Sequence, residues 1–303
     1  MDRLSPLTSV ALTRAVLERY GLATKKALGQ HFLISDGILQ RICALADVGQ
    51  EDVVLEVGPG IGTLTIALLK KAGFVIAVER DKDLEPVLAD TCAGFASHFQ
   101  LISKDALELA EGDLRCAKAA HPPNKFVANL PYAVAATLVL GFFERFPSLE
   151  SATVMVQREV ADRMCAQPGT KAYGAYTVKL ALAAQTAGRF AVGSKNFFPP
   201  PRVESAVLRL DRCQPADTEG RPLSAEALQA ARVMADAAFA NRRKTLLNSC
   251  KAYFEAMGTE GLPWAQALPR ALEEADIDPK LRGEALAVAD FISLGQALLD
   301  QGL

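Results

Sequence analysis

The sequence predicts an α/β fold with a parallel sheet covered on both faces, followed by a small α-helical carboxyl-terminal domain. Two observations carry this. Short apolar runs alternate with helix-period stretches from about residue 52 onward. After a polar segment at 214–222 that contains two prolines and a glycine, helical spacing takes over. Strand–helix–strand alternation puts helices on both faces of a parallel sheet.

Taken in order, DVVLEV (52–57), FVIAVE (74–79), FQLIS (99–103), KFVANL (125–130) and ATVMVQ (152–157) read as buried strands. Each is short, rich in β-branched residues and bounded by Gly, Pro or charged residues. Between them, TLTIALLKKAG, KDLEPVLADTCAGF and AVAATLVLGFFERF have helical spacing. VESAVLRL (203–210) alternates and follows three prolines, which suits a late strand. QPADTEGRP (214–222) reads as a linker, so domains are expected at 1–213 and 214–303. The second is built from SAEALQAARVMADAAFA, RRKTLLNSCKAYFEAM, LPWAQALPRALEEA and GEALAVADFISLGQALLDQ.

A formal charge of −2 over 303 residues does not advertise a polyanion partner. Residues 215–303 hold nine Lys and Arg against thirteen Asp and Glu, so any nucleic-acid surface must be local. The six cysteines are scattered without a C-x-x-C pair, and there are only three histidines. That gives no zinc pattern and no disulfide framework, and makes a reducing cytoplasm the expected compartment. No apolar run is long enough for a membrane span. The amino-terminal MDRLSPLTSVALTRAVLERYGL has no continuous apolar core, so it does not read as a secretory signal, although its amphipathic, Arg-containing character leaves an organelle peptide as a minor alternative.

Four constellations are candidates for chemistry. EVGPGIGTLT (56–65) follows the first strand and opens a helix. Gly58, Gly60 and Gly62 let backbone approach a ligand, and the helix beyond adds oriented N–H groups. The spacing is G-x-G-x-G, not the dinucleotide G-x-G-x-x-G. Glu79 ends the next strand, where a carboxylate can accept both hydroxyl hydrogens of a ribose. Asp105, after the third strand, suits an adenine amino group or a helix cap. ANLPYAVA (128–135) ends a strand with an amide, a carbonyl and a phenol ring, because proline cannot continue the ladder. The Asn129 side-chain oxygen and the Leu130 or Pro131 carbonyl could hold the hydrogens of an exocyclic amine and localise its lone pair. Tyr132 could stack on the ring, an interaction worth roughly 1–3 kcal/mol per base. Finally, KNFFPPPRVESAV (195–207) sets two phenylalanines before a proline run between Lys195 and Arg202. It suits either a stiffened crossover or an aromatic presented to a base.

Together these motifs resemble one family, the ribosomal RNA adenine dimethyltransferases that act on small-subunit RNA. The likeness runs in order through TKKALGQHFLIS (24–35), VLEVGPGIGTLT (54–65), AVERD (77–81), SKDAL (103–107), VANLPY (127–132), MVQREVADRM (155–164), KAYGAY (171–176), FFPPPRVESAV (197–207) and ANRRKTLLNS (240–249). It implies a class I S-adenosylmethionine-dependent methyltransferase fold, Rossmann-like, with a seven-stranded sheet carrying one antiparallel strand. It implies S-adenosylmethionine held by His31, Leu33, Gly58, Glu79, Asp105 and Asn129. The target adenine is expected against Asn129, Pro131 and Tyr132, with Phe197 on its other face. Phe197 is preferred to Phe198 because the family's aromatic stands two residues before the first proline. His31 departs from the asparagine common there; a binding or packing role is expected for it rather than that of a catalytic base.

The resemblance further implies dimethylation of two adjacent adenines near the 3′ end of small-subunit RNA, a part in subunit biogenesis, and a cytoplasmic monomer. Lys25, Lys26, Arg158, Arg163, Lys171, Arg242, Arg243 and Lys244 become candidate phosphate contacts. The related large-subunit adenine methylation that confers macrolide resistance is the enzymatic alternative, and a ribosome assembly factor the non-enzymatic one. A nicotinamide-dependent dehydrogenase is disfavoured by the glycine spacing.

Overall fold

The computed structural model describes residues 3–22 and 31–302. Lys25, Lys26 and most of TKKALGQHFLIS lie outside the described residues. In chain order the elements are α1 (Val10–Arg19), β1 (Phe32–Leu33), α2 (Asp36–Ala46), β2 (Val53–Val57), α3 (Thr63–Leu69), β3 (Phe74–Glu79), α4 (Glu85–Thr91), β4 (Phe99–Ser103), β5 (Lys125–Asn129), α5 (Ala135–Arg145), β6 (Ser151–Gln157), α6 (Arg158–Met164), α7 (Ala175–Ala181), β7 (Ala184–Val192), β8 (Phe197–Phe198) and β9 (Ser205–Arg212). Then follow α8 (Ala225–Phe239), α9 (Leu246–Ala256), α10 (Leu262–Glu274) and α11 (Val288–Leu299). The chain divides into two compact units: Met1–Ala161 with Thr186–Arg212, and Asp162–Gln185 with Cys213–Leu303. The single division expected at 213/214 is therefore replaced by one in which Asp162–Gln185 also joins the helical unit.

In the first unit the sheet order is β4-β3-β2-β5-β6-β9-β7. The strands β2 to β6 pair parallel where they are neighbours, and β9 runs antiparallel to β6. β2 and β3 are buried along their whole length, as continuous apolar runs must be when helices cover both faces. From β2 the chain steps outward through β3 to β4, then returns to lay β5 on the other side of β2. That reversal creates a crevice at the carboxyl ends of β2 and β5. Register brings the carboxyl ends level, with Val57 beside Val78 and Glu79 beside Ser103. The opposite ends of β2 and β5 are pinned by Lys125 Nζ on Asp52 Oδ2 at 2.9 Å and Asn124 Nδ2 on Asp52 Oδ1 at 2.8 Å.

The sheet contains β7, which the sequence reading passed over, and a separate antiparallel pair of β1 with β8. β7 is an edge strand whose residues 185–187, 189 and 191 are exposed, so AQTAGRFAV carries no apolar run to betray it. The amino-terminal segment packs on this unit: Leu7 and Leu17 are buried in its core, and the Leu4 N–H donates to Asp36 Oδ1 at 2.8 Å.

The second unit is a helical cluster around Tyr173, Leu246, Phe254, Leu272, Phe291 and Leu298. The Tyr173 hydroxyl donates to the Leu286 carbonyl at 2.9 Å, which gives the KAYGAY segment a structural purpose. Ala227, Ala230, Ala231, Ala235 and Ala238 form a small-residue face on α8. It admits α11 so closely that a Cβ on Gly295 would fall 2.7 Å from the Ala231 nitrogen. Gly295→Val should therefore destabilise this unit by about 1–3 kcal/mol, as overpacking does. Urea unfolding monitored by circular dichroism checks this; an unchanged midpoint would mean that the helices can part without penalty.

Candidate active site

A cavity of about 350 Å³ opens at the carboxyl ends of β2, β3, β4 and β5, within the first unit. Its lining includes eight of the nine residues that the sequence singled out: His31, Leu33, Gly58, Glu79, Asp105, Asn129, Pro131 and Tyr132. Gly58, Glu79, Asp105, Asn129, Pro131 and Tyr132 converge by topology, since each stands at or just beyond the end of a strand in one parallel array, whereas His31 and Leu33 come from the segment of the separate β1–β8 pair.

The glycine turn leaves β2 with Gly58 at φ +69°, a left-handed conformation that L side chains resist. The Gly58 N–H donates to the Val78 carbonyl at 3.0 Å, and a Cβ on Gly58 would lie 3.5 Å from Pro131 Cδ. The turn and the NLPY segment therefore touch, and together they form one wall.

Glu79 closes β3. Its Oε1 accepts from the Arg80 N–H at 3.0 Å and the Asp81 N–H at 2.9 Å. Burial raises its pKa, while backbone N–H groups of Asp81, Gly60 and Arg80 pull the other way by favouring the carboxylate. Asp105 caps a short helical turn, its Oδ1 accepting from the Leu107 N–H at 3.0 Å. Its Oδ2 lies 3.3 Å from Arg80 Nη1. The cap role is thus real, and it holds the carboxyl at the cavity wall.

Asn129 ends β5, and its Nδ2 donates to the His31 carbonyl at 3.4 Å. With the amide nitrogen so directed, Oδ1 is the atom offered to a ligand. The Pro131 carbonyl already accepts from the Val134 N–H at 3.2 Å, which leaves the Leu130 carbonyl as the better second acceptor. The Tyr132 hydroxyl lies 2.8 Å from Ser205 Oγ, and burial raises its pKa. The His31 ring lies 6.3 Å, centroid to centroid, from that of Tyr132, inclined by 29°. His31 Nδ1 donates to the Pro199 carbonyl at 2.8 Å, which places a proton on Nδ1.

Phe197 is the residue that the structure does not bring to the cavity. It is 2% exposed, belongs to the hydrophobic core of this unit and pairs with Leu33 across β1 and β8. The expected second stacking face is therefore buried behind the wall. FFPPPRVES works as scaffold: it supplies Phe197 and Phe198 to the pairing, the Pro199 carbonyl to His31 and Ser205 to Tyr132. Phe198 meanwhile lies beneath the Arg14 guanidinium, 5.0 Å from ring centre to Cζ.

Glu56 was not singled out, yet it lines the cavity at 1% exposure, and its Oε2 has no hydrogen-bond partner. Thr63 Oγ1 is likewise buried without a partner. Burial pushes the Glu56 carboxyl up to about 8; the nearby Thr65 hydroxyl pulls the other way, and Glu79 adds like-charge repulsion. The signal was present: an acidic residue inside an otherwise apolar, fully buried strand, directly before the glycine turn.

Among the candidate phosphate contacts, Arg242 is committed within its own unit. Its Nη2 donates to the Tyr173 carbonyl at 2.8 Å and the Lys171 carbonyl at 3.1 Å, and lies 3.4 Å from Glu284. Arg158 pairs with Glu204 at 3.0 Å in an exposed ion pair. Arg243 and Lys244 are exposed beside Arg242.

Comparison with known proteins agrees with this geometry. A solved dimethyladenosine transferase from Plasmodium falciparum superposes with a TM-score of 0.73 at 24% identity, covering 90% of this chain and 99% of that one. The 23S rRNA methyltransferase ErmE superposes with a TM-score of 0.63 at 24% identity, over 88% of this chain and 99% of its own. At such identity both speak for the fold alone. In sequence, the chain is 39% identical over 302 residues to ribosomal RNA small subunit methyltransferase A of Acidothermus cellulolyticus, covering 98% of this chain and 97% of the relative. It is 42% identical over 298 residues to the protein of the same name from Rhodococcus opacus, covering 95% and 93%. The family model described as ribosomal RNA adenine dimethylase matches residues 21–265, and the chain belongs to that family.

Proposed function

We propose that this chain uses S-adenosylmethionine to dimethylate the 6-amino nitrogen of two adjacent adenines near the 3′ end of small-subunit ribosomal RNA. One observation carries the reading. Asn129, its amide nitrogen tied to His31, offers an oxygen beside Tyr132 in the same cavity that holds Glu79 and Asp105. The residues fit such a cofactor: Glu79 for a ribose diol, Asp105 for an adenine edge, Gly58 for close backbone approach, and His31 and Leu33 along one wall. When bound, the cofactor supplies an electrophilic methyl group on a sulfonium.

The chain's own part is positioning. Asn129 Oδ1 and the Leu130 carbonyl accept the two amine hydrogens, so the nitrogen lone pair leaves the purine ring and points along one line. Tyr132, anchored through Ser205, presents a ring face to the base. Pro131, packed against Gly58, fixes the separation between the glycine turn and the strand end. Orientation and directed dipoles of this kind are large terms in catalysis. Among the described residues no helix is long and apolar enough to cross a membrane. Action as a monomer on assembling subunits in the cytoplasm completes the reading.

Purified protein incubated with labelled cofactor and separate small and large subunits tests the substrate. Label is expected in adenines of the small-subunit RNA; label confined to the large subunit would replace this reading with the macrolide-resistance type. Asn129→Ala should lower transfer by about 100-fold or more, the scale for losing one directed polar group. It should leave subunit binding intact, measured by co-sedimentation. Loss of both together would remove Asn129 from its assigned place.

The RNA surface has a separate test. Arg243→Ala with Lys244→Ala should weaken RNA binding and reduce the salt slope by roughly 0.7 for each phosphate no longer neutralised. Arg242→Ala should instead lower the melting temperature, because it leaves the Lys171 and Tyr173 carbonyls without their donor. Parent and double variant with equal salt slopes would take this surface out of the interface.

A further inference from the structure

Residues 3–22 pack on the first unit, and none of them lines the cavity. Their helix, α1, has 10 residues, fewer than the roughly 12–15 that an isolated helix needs to persist in water. Its order therefore comes from docking. Leu7 and Leu17 are the buried anchors, at 5% and 7% exposure. Ser5 and Thr13, both fully buried, are satisfied inside the segment. Ser5 Oγ accepts from the Leu7 N–H at 3.3 Å, and Thr13 Oγ1 donates to the Leu7 carbonyl at 3.1 Å. A segment that carries its own buried polar bonds docks and opens as one body.

The places where it is tied give the segment a purpose. The Leu4 N–H donates to Asp36 Oδ1 at 2.8 Å, at the start of α2 and shortly after the cavity-lining Leu33. Arg19 Nη1 pairs with Asp90 Oδ2 at 2.9 Å in α4, the helix that follows the cavity-lining Glu79 and Leu84. That pair is exposed and holds little by itself. Arg14 covers Phe198, which stands opposite Phe32 in the β8–β1 pair. Phe32 lines the cavity and packs against the glycine turn, where a Cβ on Gly60 would lie 3.2 Å from its ring. From outside the cavity, one segment thus holds both the β1 stretch that bears His31 and Leu33 and the helix that follows Glu79.

We propose that residues 3–22 are a brace for the cavity: docking of α1 and occupation of the cavity by the cofactor favour each other, with Arg14 on Phe198 as a positioning contact. This rests on the cofactor proposed above. Undocking releases Asp36 and Phe198, and with them the support of β1 against the glycine turn. A ligand that needs β1 and Glu79 together therefore binds the docked state better. Such a ligand must stabilise the state it prefers, and by the same factor that undocking costs the ligand. The two-state element is α1 itself, which is too short to stay helical when undocked.

Hydrogen exchange of the full chain, read by mass spectrometry with and without saturating S-adenosylhomocysteine, measures the coupling. Exchange in α1 should slow by about fivefold or more, the lower end of a coupling between distinct sites. The α8 amides report whatever slowing comes from global unfolding, and they should slow less. Unchanged exchange in α1 would overturn the inference, and so would slowing of equal size in α1 and α8. Leu7→Ala with Leu17→Ala supplies the reciprocal measurement by truncating both anchors. It should strip α1 of exchange protection and weaken S-adenosylhomocysteine in titration calorimetry, while α8 exchanges at the parent rate. Parent affinity in a variant whose α1 has lost protection would overturn the inference, as would protection retained without the anchors. These results leave the cofactor assignment standing. Failure of S-adenosylhomocysteine to bind the parent protein at all would instead bring down the proposed cofactor, and this inference with it.

Discussion

Parallel register across β2, β3, β4 and β5 is the constraint from which the cavity follows. With Val57 beside Val78 and Glu79 beside Ser103, four strands end on one line, and whatever residue comes next in each must face the same space. A one-residue slip in β3 would send the Glu79 side chain to the other face. The register is held from both ends. At the amino ends, Asp52, Asn124 and Lys125 form a buried network joining β2 to β5. At the carboxyl ends, Gly58 and Pro131 are in contact, so the turn after β2 and the stop after β5 set each other's position. Proline is suited to that place because the ladder ends there: the Leu130 N–H still donates to the Met155 carbonyl at 3.0 Å, and the next residue has no donor to waste.

Where sequence and structure agree, one reason recurs: a residue type that only one local geometry accepts. FVIAVE and FQLIS are strands with the bounds read from the sequence, although only the first is buried throughout, as β4 lies at the sheet edge and is partly exposed. Glu79 closes the buried β3 and Asp105 follows β4 as the cap of a short turn, and both line the cavity. Where they disagree, long-range pairing decides. Phe197 reads as a presented aromatic until β8 is seen to pair with β1, a contact across more than 160 residues that no local pattern encodes. Arg242 reads as one of three exposed cations until its neighbours prove to be the Lys171 and Tyr173 carbonyls. Asp162–Gln185 likewise groups with helices that begin some forty residues later, which no local pattern encodes.

The co-occurrence of NLPY with FFPPPRVES also gains a physical meaning. Tyr132 needs a fixed hydroxyl to hold its ring in one plane, and Ser205 supplies it from the first residue of β9. β9 is placed in turn by its antiparallel register with β6, where Gln157 faces Ser205. The same segment also reaches His31 through the Pro199 carbonyl. One loop thus positions two residues that line the cavity, which is a stronger demand on its sequence than one stacking contact would make.

That arrangement bears on how a weak nucleophile is made to react here. The two titratable groups nearest Asn129 are poor candidates for a base. The Tyr132 phenol keeps its proton, because burial raises its pKa and its oxygen is shared with Ser205. His31 already has one ring nitrogen spent on Pro199, and its own backbone carbonyl is what orients Asn129. A base would add little in any case, since the proton leaves more easily after nitrogen has gained a methyl group and a positive charge than before. In the proposed reaction the barrier is set by where the lone pair points, and an amide oxygen and a main-chain carbonyl, both acceptors that carry no charge to be lost with pH, are the groups assigned to set it. The carboxyls of this cavity that burial holds above the usual range are Glu56 and Glu79, neither of which belongs to the NLPY segment.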